Sequence, residues 1–404
     1  MKNINIKKFI ITLFIFIFLP FASSAFDLGL ILNLNTGYEG AGTGENQFDF
    51  SVNLWPRFSA LIGKNGEFLL TAGVTAGLAD EFYFVPELLH TEFTLRFGNS
   101  GLRIGRFDYS DPLSLIVSGL FDGVQYFHNT NAGIFRAGAW YTGFLYKKNA
   151  NISMTPHDQA GLAVQFDYKN FFSTYFASRR VFMSFEWEHP SINEILRLNA
   201  ALIGQFDLTD SQSKYHSQYL IIKAGMPVRD FFIELGGCLE LSQTDEGTCL
   251  AFAGEFGFSW LFSSEFNSML SLKGTIAGGR INDTLTAFNP ITVKYYGYIL
   301  KHKMTGLSVI TINYSTRIQQ TMSAFVNASY FVRNDLGTFQ GYPAAGTDEG
   351  FFLGPEISAS FIWSPFSDLQ MNLGAGLFIP QLGNAGADEK IRWRIDLSVI
   401  MALY

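Results

Sequence analysis

The chain has 404 residues, 48% of them hydrophobic and only 16% charged, with 42 Phe, 17 Tyr, 39 Gly and a formal net charge of −7. There is no basic excess for binding nucleic acid. Beyond the first 25 residues no stretch approaches the roughly 18 uninterrupted apolar residues of a membrane helix. That excludes a helical membrane protein and leaves lipid contact through strands open.

The N-terminal stretch MKNINIKKFIITLFIFIFLPFASSA carries Lys2, Lys7 and Lys8, an apolar run from Phe9 to Leu19, then Pro20 and small residues to Ala25. A charged start, a short apolar centre and a small-x-small exit at Ser23 and Ala25 predict a cleaved secretory signal peptide over 1–25. The alternative is an anchoring helix, but the run is about half of the roughly 20 residues a bilayer span needs. No cysteine follows the exit to carry a lipid anchor. Removing 25 of 404 residues leaves 379, starting at Phe26, and losing the three lysines takes the charge from −7 to −10. Residues 26–404 are expected to form one domain without linker, plug or appended module.

From Asp27 the pattern has a period of two. Leu28, Leu30, Leu32 and Leu34 alternate with Asp27, Gly29, Ile31 and Asn33, and Phe48, Phe50, Val52 and Leu54 alternate with Gln47, Asp49, Ser51 and Asn53. The same holds at 89–97, 181–188, 251–260 and 368–377, and the chain ends on RWRIDLSVIMALY. Period two means strands with one apolar and one polar face. A soluble β-sandwich alternates too, but its polar face meets bulk water and favours Lys, Glu and Thr. Here that face is rich in Gly, Ser, Asn and Gln, which suits the water-filled interior of a barrel whose exterior meets lipid. Trp55, Trp187, Trp260, Trp363 and Trp393 sit near strand ends, where membrane interfaces place tryptophan.

Short breaks at 63–66, 98–101, 168–170, 189–193, 227–230, 262–266 and 364–368 alternate with longer ones at 39–46, 79–85, 108–119, 147–159, 208–215, 279–300, 335–350 and 379–390. Short turns on one side and long loops on the other are the outer-membrane pattern. The expectation is an all-β fold: a single transmembrane antiparallel up-and-down barrel of about 18–20 strands, within a range of 16–20. The count depends on a hairpin in FFSTYFASRRVFMSFEWEHP and a short pair around 101–128. The last strand is expected to pair with the first at the barrel seam.

A barrel of that size has a lumen wider than side chains fill. The apolar segment DYSDPLSLIVSGLFDG (108–123) is expected to fold inward as a constriction, the alternative being a surface loop with two short strands. A second long segment, 278–301, either forms a functional loop or hides a strand in ITVKYYGYIL. Candidate pore-lining charges are Glu92, Arg96, Arg103, Arg106, Asp108, Arg197, Glu255, Lys273, Arg394 and Asp396. Facing rows of acids and bases set a transverse field and bias ion passage. Acids outnumber bases on the polar parity, so a mild cation preference is expected; the alternative is that these charges only pair and keep the interior wet. Cys238 and Cys249, in CLELSQTDEGTC, are expected opposite one another across a hairpin, where a cross-strand disulfide would staple a loop base.

Catalysis finds no support. The six histidines show no metal-ligand spacing, no G-x-S-x-G elbow occurs, and GAGTGENQ (40–47) precedes no helix that would present amides to phosphate. No enzyme activity, cofactor, metal or nucleic-acid partner is expected.

Signal peptide, alternating strands, unequal turns and a terminal aromatic strand together resemble bacterial outer-membrane barrels of the porin class. The stretch LRIGRFDYSDPLSLIVSGLFDG (102–123) resembles one in alginate-export-type and other substrate-specific porins, where a strand leads into an inward loop. The resemblance implies residence in the cell outer membrane, contact with its lipid, and delivery to the barrel-assembly machinery through the C-terminal strand. One departure is that Tyr404 shares its parity with Arg394, Asp396 and Ser398, whereas the family's terminal aromatic commonly falls with the apolar residues. The implied function is a channel for passive diffusion of small hydrophilic solutes, with or without substrate bias. The alternative is a non-conducting adhesin or structural barrel acting through its long loops. Monomer and oligomer both remain open.

Overall fold

From Phe26 the alternating segments become strands that bond to their chain neighbours. The computed structural model describes residues 26–403 apart from 43–44, 79–80, 194, 211–213, 246, 263–265, 282–283, 336–349 and 386–389. The expected signal segment, Tyr404 and most of the 335–350 loop lie outside the described residues.

In chain order the strands are β1 (Phe26–Ala41), β2 (Glu45–Ile62), β3 (Gly66–Leu78), β4 (Phe82–Phe97), β5 (Ser100–Ser110), β6 (Ser118–Thr130), β7 (Gly133–Tyr141), β8 (Arg180–Ile192), β9 (Leu196–Asp207) and β10 (His216–Val228). They continue with β11 (Phe231–Thr244), β12 (Gly247–Leu261), β13 (Met269–Ala277), β14 (Tyr295–Tyr296), β15 (His302–Lys303), β16 (Leu307–Gln319), β17 (Met322–Arg333), β18 (Phe352–Phe366), β19 (Leu369–Phe378) and β20 (Arg392–Leu403). Among the described residues, all but β14 and β15 form one 18-stranded antiparallel sheet, which closes where β20 pairs with β1 from Leu30↔Leu403 to Ala41↔Arg392. Closure leaves no unpaired sheet edge at the chain ends, as lipid requires.

The outward parity carries the exposed apolar side chains, among them Leu28, Leu54, Ile104, Leu202, Leu235, Ile312, Leu373 and Ile395. Among the described residues no helix is long and apolar enough to cross a membrane. Strands of 9 to 18 residues are long enough to span the hydrocarbon when tilted. Both ends of the described chain lie at the end of the barrel with short turns, the periplasmic end of outer-membrane barrels.

Eighteen strands, rather than twenty, follow from the segment between β7 and β8. The turn expected at 168–170 and the hairpin expected after it are instead parts of one long loop, 142–179, which contains short helices at Lys147–Ala150, Pro156–Ala163 and Phe171–Thr174 and a 3-10 turn at Tyr168–Asn170. The local cause is the run TPHD: Thr155 and Asp158 form a capping box, with Pro156 at the first helical position. The pair around 101–128 is real. β5 runs to Ser110 and β6 resumes at Ser118, so the loop expected over 108–123 shrinks to 111–117.

That short loop does turn inward, with Leu113, Leu115, Ile116 and Val117 buried inside the barrel. It meets two others there. Thr292 N, from the 278–306 loop, donates to Ile116 O (3.1 Å), and Val293 N donates to Asn151 O (3.0 Å) in the 142–179 loop. Asn289 Nδ2 donates to Met154 O (3.0 Å). The three loops pack with Tyr109, Trp140, Phe182, Tyr219 and Ile221 of the wall into one apolar core on the β5–β13 side of the lumen. Among the described residues, β1–β4 and β16–β20 add no side chain to it. The strand left open in ITVKYYGYIL amounts to Tyr295–Tyr296, paired with His302–Lys303 inside the loop.

Candidate functional site

Leu300 of the 278–306 loop packs a second apolar cluster against Leu307, Val309, Phe331, Leu353 and Phe378 of β16–β19. The polar wall is therefore that of β20 and β1–β3, whose inward positions include Asn33, Asn35, Ser51, Asn53, Thr75 and Ser398. These small polar side chains bond to one another, as in Thr75 Oγ1 to Asn53 Oδ1 at 2.7 Å. The tip of the 111–117 loop narrows the way from the other side. Its shape is set by Asp111, whose carboxylate accepts from the amides of Leu113 (2.8 Å), Ile116 (2.9 Å) and Val117 (2.9 Å). Burial raises the Asp111 pKa, and those amide bonds oppose the shift.

Charges gather at two poles. On the loop side, Glu255 lies between Lys223 (3.3 Å) and Lys273 (2.7 Å), and Lys223 also reaches Glu234 (3.3 Å). Lys294, from the 278–306 loop, stands beside Lys273 and Lys223, with its Nζ donating to Ser114 O at 3.3 Å. Three lysines there face two carboxylates of the wall, with Asp111 of the 111–117 loop also acting on Lys294. On the open wall, Arg394 is held by Glu39 (2.6 Å), Asp49 (3.2 Å) and Asp396 (3.4 Å), with Lys301 at 3.8 Å from Glu39. Three carboxylates there face two cations. Glu255 on β12 and Arg394 on β20 stand six strands apart round the eighteen-strand ring, a third of the circumference. The passage therefore runs between a base-rich and an acid-rich pole, the arrangement that orients charged polar solutes. The 278–306 loop also reaches the acid-rich pole: the Tyr298 hydroxyl donates to Asp396, and Glu356 of β18 accepts from the amides of Ile299 and Leu300 (both 2.9 Å).

The other sequence candidates separate by parity. Glu92, Arg96 and Arg103 face a polar recess of about 450 Å³ toward the short-turn end, shared with Glu67, Gln125 and Arg136. Glu92 pairs with Arg103 (2.6 Å), which lies 4.3 Å from the centre of the Phe107 ring. Arg197 points inward near the same end, over the Phe232 ring at 5.7 Å. Arg106 and Asp108 are corrected. They share parity with the exposed Ile104, while Phe107 and Tyr109 between them enter the inner core, so neither lines the pore. Arg106 is buried against Asp122 (2.6 Å) on the outer parity instead.

The cysteine expectation is also corrected. The β11–β12 register pairs Cys238 with Ala253 and Cys249 with Ser242, so the two residues face the lumen four rungs apart and no disulfide joins them. The turn falls nearer Thr244↔Gly247 than the midpoint of the two cysteines, and that offset moves the register. Alternation missed Lys223, Lys294, Lys301, Glu39 and Tyr298 as site residues, three of them because loop residues follow no periodicity.

No family model matches the chain, and no curated protein matches it. Solved structures do. OccK2 (OpdF) of Pseudomonas aeruginosa in complex with glucuronate superposes with a TM-score of 0.62 at 14% identity, covering 94% of this chain and 98% of that one. OpdK of the same organism with vanillate gives 0.59 at 12%, covering 93% and 99%. OprD of Pseudomonas aeruginosa gives 0.60 at 12%, covering 94% of each. The chain thus has, over nearly its whole length, the fold of these Pseudomonas aeruginosa outer-membrane proteins.

Proposed function

We propose that the protein is an outer-membrane channel for passive diffusion of small hydrophilic solutes, biased toward solutes that carry charge. One observation carries this reading: the three inward loops share their main apolar core on the β5–β13 side, while β20 and β1–β3 keep an inward wall of Asn, Ser and Thr beside the base-rich and acid-rich poles. The glucuronate bound to OccK2 and the vanillate bound to OpdK support small charged solutes as the class. The longest described loops, 142–179 and 278–306, turn inward, which argues against an adhesin that presents its loops to other cells. Residues 1–25 serve as the signal peptide, β20 supplies the assembly signal, and the protein transports without catalysing. Planar-bilayer recording of the refolded protein tests the reading: stepwise currents are expected, and a persistently silent bilayer would overturn it.

A further inference from the structure

The ladder between β4 and β5 stops short. β4 pairs with β3 as far as Phe82, but with β5 only from Phe97 to Thr91, where Thr91 faces Arg106. β5 keeps its bonds to β6 up to Ser110↔Ser118. Above Thr91, then, β4 and β5 stand side by side without rungs. Two local features mark the point where the pairing ends. An extra residue, Leu89, bulges β4 between His90 and Leu88 and turns the strand away. Gly105, at φ 116°, lets the β5 backbone approach so closely that any Cβ would collide with the Thr91 carbonyl oxygen.

The free edge of β4 is satisfied by side chains. Its outward-leaning carbonyls at Phe84, Pro86 and Leu88 accept from Tyr168 Oη (2.8 Å), Tyr175 Oη (2.7 Å) and Arg106 Nη1 (2.6 Å) respectively. Pro86 in the centre has no N–H to leave unpaired. Tyr168 and Tyr175 belong to the 142–179 loop, where Tyr146, Phe166, Phe171, Tyr175 and Phe176 stack ring against ring over the buried Val85. On the lumen side of the seal, Asn149 Nδ2 donates to Glu87 Oε2 (2.9 Å). Phe82 of β4 is 72% exposed and Phe172 of the loop 85%, with Phe144 and Tyr168 also exposed. Elsewhere the fold closes such a gap with main chain: where β12 outruns β13, Leu250 N donates to Thr284 O (2.8 Å) and Thr286 N to Leu250 O (3.0 Å). At β4/β5, among the described residues, side chains hold the wall shut: two hydroxyls, one guanidinium, the Asn149 carboxamide and aromatic contacts.

We propose that the β4/β5 seam is a lateral portal, through which a small amphipathic solute with a flat apolar body and one polar group passes between the lumen and the outer leaflet. The polar group meets Glu87 and Asn149 inside; the apolar body slides among the rings that line the opening. Rotation of Tyr168 and Tyr175 away from β4 opens the path without breaking a strand-to-strand bond. The proposal rests on the membrane-spanning barrel but not on axial conduction.

The test is a reversible staple. Phe84→Cys and Tyr168→Cys are combined in a Cys238→Ser, Cys249→Ser background of the full chain, and the new thiols are joined with a bis-maleimide that contains a cleavable disulfide. Entry of 4-pentylbenzoate at pH 8 into proteoliposomes is measured alongside KCl conductance. The staple should lower 4-pentylbenzoate entry at least fivefold, leave conductance within twofold, and be reversed by reductant, which also controls for folding. Entry that ignores the staple, entry no faster than in protein-free liposomes, or a parallel loss of both signals would overturn the portal. Staple-sensitive entry in a protein silent to KCl would support the portal and sink the axial channel.

Discussion

Leu113, at the tip of the inward loop between β5 and β6, lies against Gly236 on β11, so close that a side chain at 236 would overlap its Cδ2 methyl. The loop therefore reaches from the β5–β6 hairpin to β11 within the β5–β13 side of the lumen, and the absence of a Cβ there seats it. Gly236→Leu should lift the tip and raise single-channel conductance. Leu113→Ala should weaken docking by about 2–5 kcal/mol, the cost of emptying a packed apolar site. Conductance histograms of both variants check this; two unchanged histograms would mean the tip does not limit the passage.

The two poles predict opposite selectivity changes. Arg394→Gln leaves Glu39, Asp49 and Asp396 without their shared guanidinium and should raise cation over anion permeability. Glu255→Gln leaves Lys223 and Lys273 without the carboxylate between them and should shift selectivity toward anions. Reversal potentials in a KCl gradient read both. Shifts of the same sign would contradict a field set by two poles.

The loop helix at 156–163 is tied to the wall by charge. Arg180 of β8 donates to Asp158 (2.7 Å) and lies 3.1 Å from Asp207 of β9, all three side chains fully buried. Removing one partner strands the others in a dry site, at a typical cost of about 3–5 kcal/mol. Arg180→Gln is thus expected to loosen 155–163, seen as faster amide exchange there while barrel strands such as β17 stay protected.

Asp111→Asn places an amide group where the carboxylate accepts three backbone N–H groups. Leaving buried donors unsatisfied costs about 1–3 kcal/mol. The 111–117 loop should become sensitive to a protease that spares the parent, and noisier in single-channel records.

Lys294 supplies a pH dependence. Burial, and then the nearby charge of Lys273, lower its pKa below the ordinary 10.5. The docked loop disfavours the charged form, so its proton leaves first as pH rises through the lowered pKa. The penalty on docking is relieved over that window, up to the ordinary value, while the base-rich pole loses a charge. Cation selectivity should climb on alkalinisation before ordinary lysines titrate, and Lys294→Gln should flatten that part of the curve.

The strands and the closing pair were legible in the sequence because lipid outside and water inside force a choice at every second residue. RWRIDLSVIMALY reads as a wall strand for that reason, and it is one. The same logic gave Glu255, Lys273, Arg394 and Asp396 as inward charges. It failed at Arg106 and Asp108, where polar side chains occupy outward positions beside a broken ladder, so polarity no longer reports facing. It failed at 168–170 as well, because the TPHD capping box that turns 142–179 into a loop with helices was overlooked beside the two-residue pattern.

Local chemistry alone therefore determined the barrel, its inward and outward faces and the existence of an inward loop near 111–117. Only the tertiary structure decided that three loops meet on one side of the lumen, that Lys294 and Tyr298 join poles built from distant strands, and that β4 parts from β5. Those outcomes depend on contacts between residues far apart in the chain, such as Asn151 with Val293. No periodicity along the chain encodes which of many buried apolar surfaces will find one another across a lumen.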